Sequence, residues 1–448
     1  MPSAMPTRAP LARAARYIFI ERLRGLGTSA YGYQGKHPVQ SQEVQPGSGE
    51  KWFPNAQSRG SNRRNMKQPL RGAIVGYGFI SGQGHAPTYA KHMGNGRAVE
   101  ITAIADICKA RRQAAHEMFP FARVYPDHAS LLTAEAGKLD FLDIATPPAH
   151  HAEIAHAALG RGLHVLCEKP MATTAEDARS MLQHAREARR VIYPCHNYKH
   201  APVVKVVRSI LNEGVIGPVH LVTMQTFRNT HAKGVNEWRP DWRRERALSG
   251  GGIAMDHGSH TFYLAFDWMA AYPTSITAHA STANGHDTED VFGCTLTFPT
   301  GVVSAHLSWN AGVRKVMYTL HGKKGAIRVE DEDVELAVLE AGPGVVAPGS
   351  PGKWRFERRV APSNWMDASH VGWFSSLFDE FRGAIARSEY VGQDAMEACL
   401  CIELIERGYR SAAEGSRVLD LPDGADARTA RPRAPRPLPT PGHAEDLA

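Results

Sequence analysis

Asp256, His257 and His260 fall within five positions, separated by three residues from the run Gly250, Gly251 and Gly252. One carboxylate and two imidazoles this close admit three readings: a metal clamp, a proton-transfer site, or packed polar structure. Each needs a different partner elsewhere in the chain. A metal needs further ligands with their own hydrogen-bond support, and neither a cysteine pair at ligand spacing nor an H-E-x-x-H helix is present to complete a set. Proton transfer suits an imidazole, whose unperturbed pKa near ~6.5 keeps both protonation states accessible, provided that a cation stabilises the oxygen losing its proton.

The stretch just before the glycines, "FRNTHAKGVNEWRPDWRRERALS", carries Arg228, His231, Lys233, Trp238, Arg239, Trp242 and Arg243. The plainer reading is an exposed charged loop. The functional one is a lid, with tryptophan stacking on the flat face of a ligand and arginine meeting an anionic group.

A second constellation lies near the start of the folded part. "VGYGFIS" follows a strand-like run and opens a helix, so Gly76 and Gly78 let backbone N–H groups approach a pyrophosphate, while Ser81 stands where the common fingerprint has a third glycine. Asp106 closes the next strand, where a carboxylate accepts from ribose hydroxyls and repels a 2′-phosphate. NAD is therefore expected as cofactor. NADP stays open because Lys109, Arg111 and Arg112 follow at once.

Two rhythms position these residues. From residue 70 to about 196, the runs "GAIVG", "VEITAIAD", "LDFLDIAT", "LHVLCEK" and "RVIYPCH" alternate with helical stretches, the pattern of a parallel sheet wrapped by helices. In one such helix Thr173 and Thr174 offer cap oxygens, and Ala178, Met181, Leu182 and Ala185 share a face. From 219 the segments "VHLVTMQTF", "SITAHAST", "VFGCTLTF", "VVSAHLSW" and "KVMYTLHG" alternate as strands of one open sheet, followed by two helical stretches ending near Gly415. The fold class is α/β: an N-terminal Rossmann domain (67–196) and a C-terminal α/β domain (197–422) with an open, largely antiparallel sheet. The uncovered face of that sheet predicts a homodimer or homotetramer.

The chain has 448 residues and a formal charge of +7, but residues 1–70 hold eleven Lys/Arg against three Asp/Glu, so the rest sits near −1. No basic stripe interleaved with aromatics marks a nucleic-acid surface. Residues 1–66 are expected to be a disordered arm or a mis-assigned start, and 423–448 a disordered proline-rich tail. "YIFI" is broken by charge too soon to span a membrane or serve as a signal peptide. Six scattered cysteines fit reduced thiols in the cytoplasm.

Several of these stretches together resemble the family of glucose-fructose oxidoreductase, inositol dehydrogenase and the rhizopine-catabolism oxidoreductases. They are "VGYGFIS…H" (75–85), "DIATPPAHHAEIAHAAL" (143–159), "CEKPMA" (167–172), "NEGVIG" (212–217), "GGGIAMDHGSH" (250–260) and "YRSAAEGSRVLDLP" (409–422). The resemblance implies hydride transfer between NAD(H) and a carbinol or ketone carbon of a sugar, cyclic polyol or sugar derivative. It implies a cofactor groove formed by Gly76, Gly78, Phe79, Ile80, Asp106, Thr146, Pro147, His151 and Asn197, with Glu168 at the nicotinamide end, and a cis bond before Pro170. Lys169 would be the catalytic lysine, and Asp256 and His260 the carboxylate and imidazole across the cleft. Lys199 stands where many relatives have arginine, Tyr263 where many have aspartate, and His257 where an apolar residue is usual. On this basis proton transfer at His260 is the preferred reading, with no metal, and His257 supports or packs. Two other functions remain: elimination or glycoside cleavage through transient oxidation without net redox, and a non-catalytic sugar sensor. Intact "EKP" and "DHGSH" weigh against the sensor.

Overall fold

The computed structural model describes residues 68–94, 98–283, 285–340, 353–362 and 369–421. The leader (1–66) and tail (423–448) lie outside the described residues. In the first half the elements are β1 (Leu70–Val75), α1 (Ala86–Gly94), β2 (Val99–Ala105), α2 (Lys109–Met118), β3 (Arg123–Tyr125), α3 (His128–Ala134), β4 (Phe141–Ile144), α4 (His151–Leu159), β5 (His164–Cys167), α5 (Ala175–Ala188) and β6 (Ile192–Pro194).

These strands form one parallel sheet in the order β3-β2-β1-β4-β5-β6. Helices cover both faces, so the central strands are mostly buried; all of β4, "FLDI", is buried. The strand order reverses between β1 and β4, which opens a crevice beyond their carboxyl ends. Helix α5 starts as its sequence predicts: Thr174 Oγ1 accepts from Asp177 N–H at 3.0 Å, and Ala178, Met181, Leu182 and Ala185 are buried. Ser81 stands buried in place of the third fingerprint glycine, and Gly84 permits close packing against the second half of the chain, where a Cβ would stand 2.8 Å from Phe374 and from Ser369 O.

The second half contains α6 (Pro202–Glu213), β7 (Val219–Phe227), α7 (Arg246–Ser249), α8 (Ser259–Met269), β8 (Ser275–Ser281), β9 (Val291–Phe298), β10 (Gly301–Ser308), β11 (Lys315–Gly322), β12 (Gly325–Glu330), β13 (Asp333–Glu340), β14 (Lys353–Val360), α9 (Val371–Arg387), α10 (Gln393–Ala413) and β15 (Leu419–Asp420). Its sheet runs β14-β13-β12-β11-β7-β10-β9-β8-β15, antiparallel except where β7 and β10 lie parallel. The five strands legible in sequence are joined by β12, β13, β14 and β15. In β13 and β14 charged residues crowd the alternation, as in "KWRFERRV", because the edge of the sheet is exposed.

Helices α9 and α10 tie the halves together. Phe374, Phe378 and Phe381 of α9 pack with Ile74, Ile104 and Phe141 of the parallel sheet. One face of α10, with Ala395, Ala398 and Ile402, joins the core holding Leu142 and Val165, while Cys401, Leu404 and Ile405 join the core of the second sheet. A division at residue 196 therefore separates the sheets but not the helices that cover them.

Candidate active site

Gly76 has φ +90°, and a Cβ there would stand 2.7 Å from Ala145 O, so only glycine fits the turn after β1. At Gly78 a Cβ would meet nothing within 4 Å, because that residue borders a cavity of about 500 Å³. Asp106 fastens the loop, accepting from Tyr77 N–H at 2.6 Å and Cys108 N–H at 2.7 Å. Arg111 Nε donates to Tyr77 O at 2.8 Å, so a cation stands beside the carboxylate. Phe79, Ile80, Thr146, Pro147, Glu168 and Asn197 line the same groove. Thr146 Oγ1 and Asn197 Oδ1 are buried there without a protein partner, which fits walls that exchange hydrogen bonds with a polar ligand such as a dinucleotide.

His151 is a correction. Instead of lining the groove, its ring is fully buried, with Nδ1 3.0 Å from Pro170 O and Nε2 2.8 Å from Thr146 O. It braces the two loops that do line the groove. Sequence spacing could not separate it from His150, which borders the cavity.

Beyond β5 the Lys169–Pro170 bond is cis, as the motif implies. Glu168 is held from behind by a buried chain: Tyr89 Oη donates to Asp143 at 2.8 Å, His85 Nδ1 lies 2.8 Å from Asp143, and His85 Nε2 lies 3.1 Å from Glu168. Burial alone would lower the His85 pKa, but the two carboxylates outweigh it and push it up to about 10. Burial likewise opposes ionisation of Glu168, and the His85 bond overcomes it, holding the carboxyl below its usual range.

Lys169 Nζ crosses the crevice, donating to Asp256 O at 2.8 Å and Asp256 Oδ1 at 3.2 Å. Arg243 Nε reaches the same oxygen at 3.4 Å. Burial raises the Asp256 carboxyl, yet Lys169 and Arg243 together hold it well below the ordinary value. Asp256 thus pairs with cations rather than orienting His260. Tyr263 does the orienting: its hydroxyl lies 2.6 Å from His260 Nδ1 and accepts from Tyr198 N–H at 3.2 Å, while the Tyr198 ring stacks on the imidazole at 3.8 Å. Burial, reinforced by Lys169 and His257, holds the His260 pKa well below its usual value, so the ring is neutral at pH 7. His257 is also kept neutral, lowered to about 3 chiefly by burial, and its Nδ1 is buried without a partner.

The segment before the glycines lies over this cluster. Ala232, Gly234, Val235, Trp238, Trp242 and Arg243 face the cavity. The loop is braced by His231 to Asp241 at 2.7 Å and Arg244 to Asp290 at 2.6 Å, and Glu237 reaches Arg111 at 3.4 Å. One side of the segment forms a wall of the cavity, while Lys233, Glu237, Arg239 and Asp241 are exposed to solvent, as in a charged loop. Lys199, by contrast, never reaches the groove: its ammonium is sealed between Asp394 and Glu397, each at 2.5 Å. Sequence reasoning missed Tyr263 as the partner of His260 and Arg314 as a groove residue. The i, i+3 spacing of His260 and Tyr263 on one helix was the available signal for the first.

Residues 70–196 match the family described as "Oxidoreductase family, NAD-binding Rossmann fold", and residues 204–328 match the "GFO/IDH/MocA C-terminal domain". A D-glucoside 3-dehydrogenase of Escherichia coli is 31% identical over 47% of this chain and 58% of its own length. A levoglucosan dehydrogenase of Pseudarthrobacter phenanthrenivorans is 30% identical over 44% of this chain and 50% of its own length. The chain thus spans little more than half the length of these relatives. A solved structure of levoglucosan dehydrogenase with NADH and levoglucosan shares the fold, with TM-score 0.67 and 22% identity, covering 79% of this chain and 100% of that one. Among the described residues no helix is long and apolar enough to cross a membrane.

Proposed function

The chain belongs to the Gfo/Idh/MocA family of NAD-binding oxidoreductases, and from that premise we propose that it transfers hydride between NAD(H) and a carbinol carbon of a sugar, cyclic polyol or sugar derivative. The observation carrying this reading is that Lys169 and the neutral His260, from opposite sides of the crevice, line one groove with the Gly76–Gly78 turn. When bound, the nicotinamide supplies the hydride acceptor. Gly76, Gly78, Asp106, Thr146 and Asn197 would hold the cofactor, with Glu168 at its reactive end.

The remaining work falls to the chain's own groups. Lys169 has two of its ammonium protons on Asp256, which aims the third at a substrate oxygen and stabilises charge as it develops there. With His260 Nδ1 engaged by Tyr263, Nε2 is the atom that takes the hydroxyl proton. Burial makes that ring a reluctant base, so it depends on Lys169 acidifying the same hydroxyl. His257 and Asp256 offer further polar atoms for neighbouring hydroxyls. The six cysteines carry no disulfide, which supports a cytoplasmic site. Leu221 and Val302, register partners on β7 and β10, are both exposed, which supports burial of that sheet face in a homodimer or homotetramer.

The test is NADH formation from purified protein, NAD and a panel of inositols, aldoses and glycosides. Oxidation of any panel member supports the proposal. Glycoside cleavage with NAD retained and no NADH released would move the reading to non-redox elimination, and failure to bind NAD would overturn both. Asp106→Ser should narrow or reverse a preference for NAD over NADP, read by titration of each cofactor.

A further inference from the structure

His85, Tyr89, Asp143 and Glu168 come from four separate stretches of the first half, and none is more than 6% exposed. The His85 ring meets a carboxylate oxygen at each nitrogen, Asp143 at Nδ1 and Glu168 at Nε2. It donates to two ionised carboxylates only with a proton on each nitrogen. Tyr89 Oη gives its proton to the same Asp143 oxygen, and the Phe374 ring of α9 packs on the imidazole at 4.3 Å. The ring therefore has one orientation open to it. Apolar side chains of the same volume often stabilise a core as well as a buried ionic triad does, so stability alone does not account for this one.

The triad ends at the groove. Glu168 Oε1 faces His85, which turns Oε2 to accept from Lys169 N–H at 2.9 Å. At the far end of the same residue, Lys169 Nζ donates to Asp256. Lys169 is thus held twice, at its amide from within the parallel-sheet half and at its ammonium from across the crevice. His85 itself is not among the residues bordering the cavity, whereas Glu168 and Lys169 are.

We propose that His85 is a positioning residue for hydride transfer: donating from both ring nitrogens, it fixes the Glu168 carboxylate so that its second oxygen anchors the Lys169 amide. This rests on the dehydrogenase reading above and adds to it a residue that acts only through Glu168. A displacement of about 1 Å in a group that positions a reaction can cost about 10²-fold in rate, so the anchor matters although it touches no ligand. The groups facing the imidazole are Tyr89 from α1, Asp143 from β4, Glu168 beyond β5 and the Cys195 thiol beyond β6, which also bonds Glu168. Burial opposes ionisation of Glu168, and without the imidazole only the Lys169 ammonium and amide remain against it. The Glu168 carboxyl would then take up a proton at higher pH than in the parent and lose its grip on the amide.

His85→Gln should lower kcat by about 10- to 100-fold with KM for the sugar little changed, and should move the acid limb of kcat toward higher pH. In a Glu168→Gln background the same change should cost almost nothing further. Tyr89→Phe keeps the imidazole and removes one donor from Asp143, so it should give a loss of about 3-fold in the same direction, and it serves if His85→Gln does not fold. Amide exchange of the cofactor-free protein, read by NMR with isotope-labelled lysine, reports the anchor without turnover. Exchange at Lys169 should quicken by about 10-fold in His85→Gln and in Glu168→Gln. A melting temperature that falls while the pH profile and Lys169 exchange stay put overturns the positioning role, as does an equally large loss of kcat in the Glu168→Gln background. The dehydrogenase reading stands in either case. If no sugar is oxidised, exchange decides separately: quickened Lys169 exchange in both variants supports the anchor as the dehydrogenase reading fails, and unchanged exchange overturns the anchor as well.

Discussion

Lys169 and Lys199 each follow a strand of the parallel sheet, β5 and β6, and each meets carboxylates from the second half of the chain, yet the two regions do different things. Lys169 is 16% exposed and spends its bonds on one aspartate, facing the groove with the rest of its charge. Lys199 is 4% exposed and lies between two carboxylates, Asp394 and Glu397, both buried. A cation with hydrogen-bonding capacity left over can stabilise charge on a substrate, whereas a saturated one can only hold the fold in place. Residue type and position after a strand do not tell these cases apart. The second helix of carboxylates does, because Asp394 and Glu397 sit one turn apart on α10 and converge on one ammonium.

The largest expected effect belongs to the groove. Lys169→Met and His260→Gln should each lower turnover by about 10²- to 10⁴-fold, with cofactor binding and melting temperature close to unchanged. Groups acting on one oxygen are not additive, so the double variant should lose less than the product of the two. Full activity in both single variants would break the comparison. At the sealed site, Lys199→Met removes the ammonium shared by two buried carboxylates and should cost about 3–5 kcal/mol in urea unfolding. The surviving folded protein should keep its KM. A mild stability loss with a large change in kcat would mean that Lys199 serves catalysis after all.

Tyr263 lies between the regions, with its hydroxyl at His260 and its ring 5.3 Å from the Lys199 ammonium. Tyr263→Phe should reduce kcat by about 10-fold, the size of one net hydrogen bond, and shift its pH profile without moving the Lys199 cluster. In a His260→Gln background the same change should cost almost nothing further.

The mildest test, over one pH unit either side of neutrality, sets the sealed His85 against His257 at the groove. His85 is raised in the fold to about 10, so its contribution is complete below the unfolded value near ~6.5 and fades as pH climbs through about 10. His257 is lowered to about 3, so its contribution is complete above ~6.5 and fades as pH falls toward that value. Melting temperature against pH should therefore lose its alkaline slope in His85→Gln and part of its acid slope in His257→Asn. Identical slopes in variant and parent would refute the assigned charge states.

The amino-acid sequence by itself determined whatever is settled within a few residues of chain. The Gly76 turn, the Thr174 cap, the limits of β7 and the glycine run before Asp256 follow from backbone conformation, capping and side-chain alternation, which act locally. Only tertiary structure decided which way His151 turned, that Asp256 pairs with Lys169 while Tyr263 orients His260, and that Lys199 is sealed. Those outcomes depend on strand register and on α10 packing into two cores, where residues far apart in sequence meet. A side chain's chemistry is fixed by its type, but its burial and its partner are fixed by what the rest of the chain folds against it.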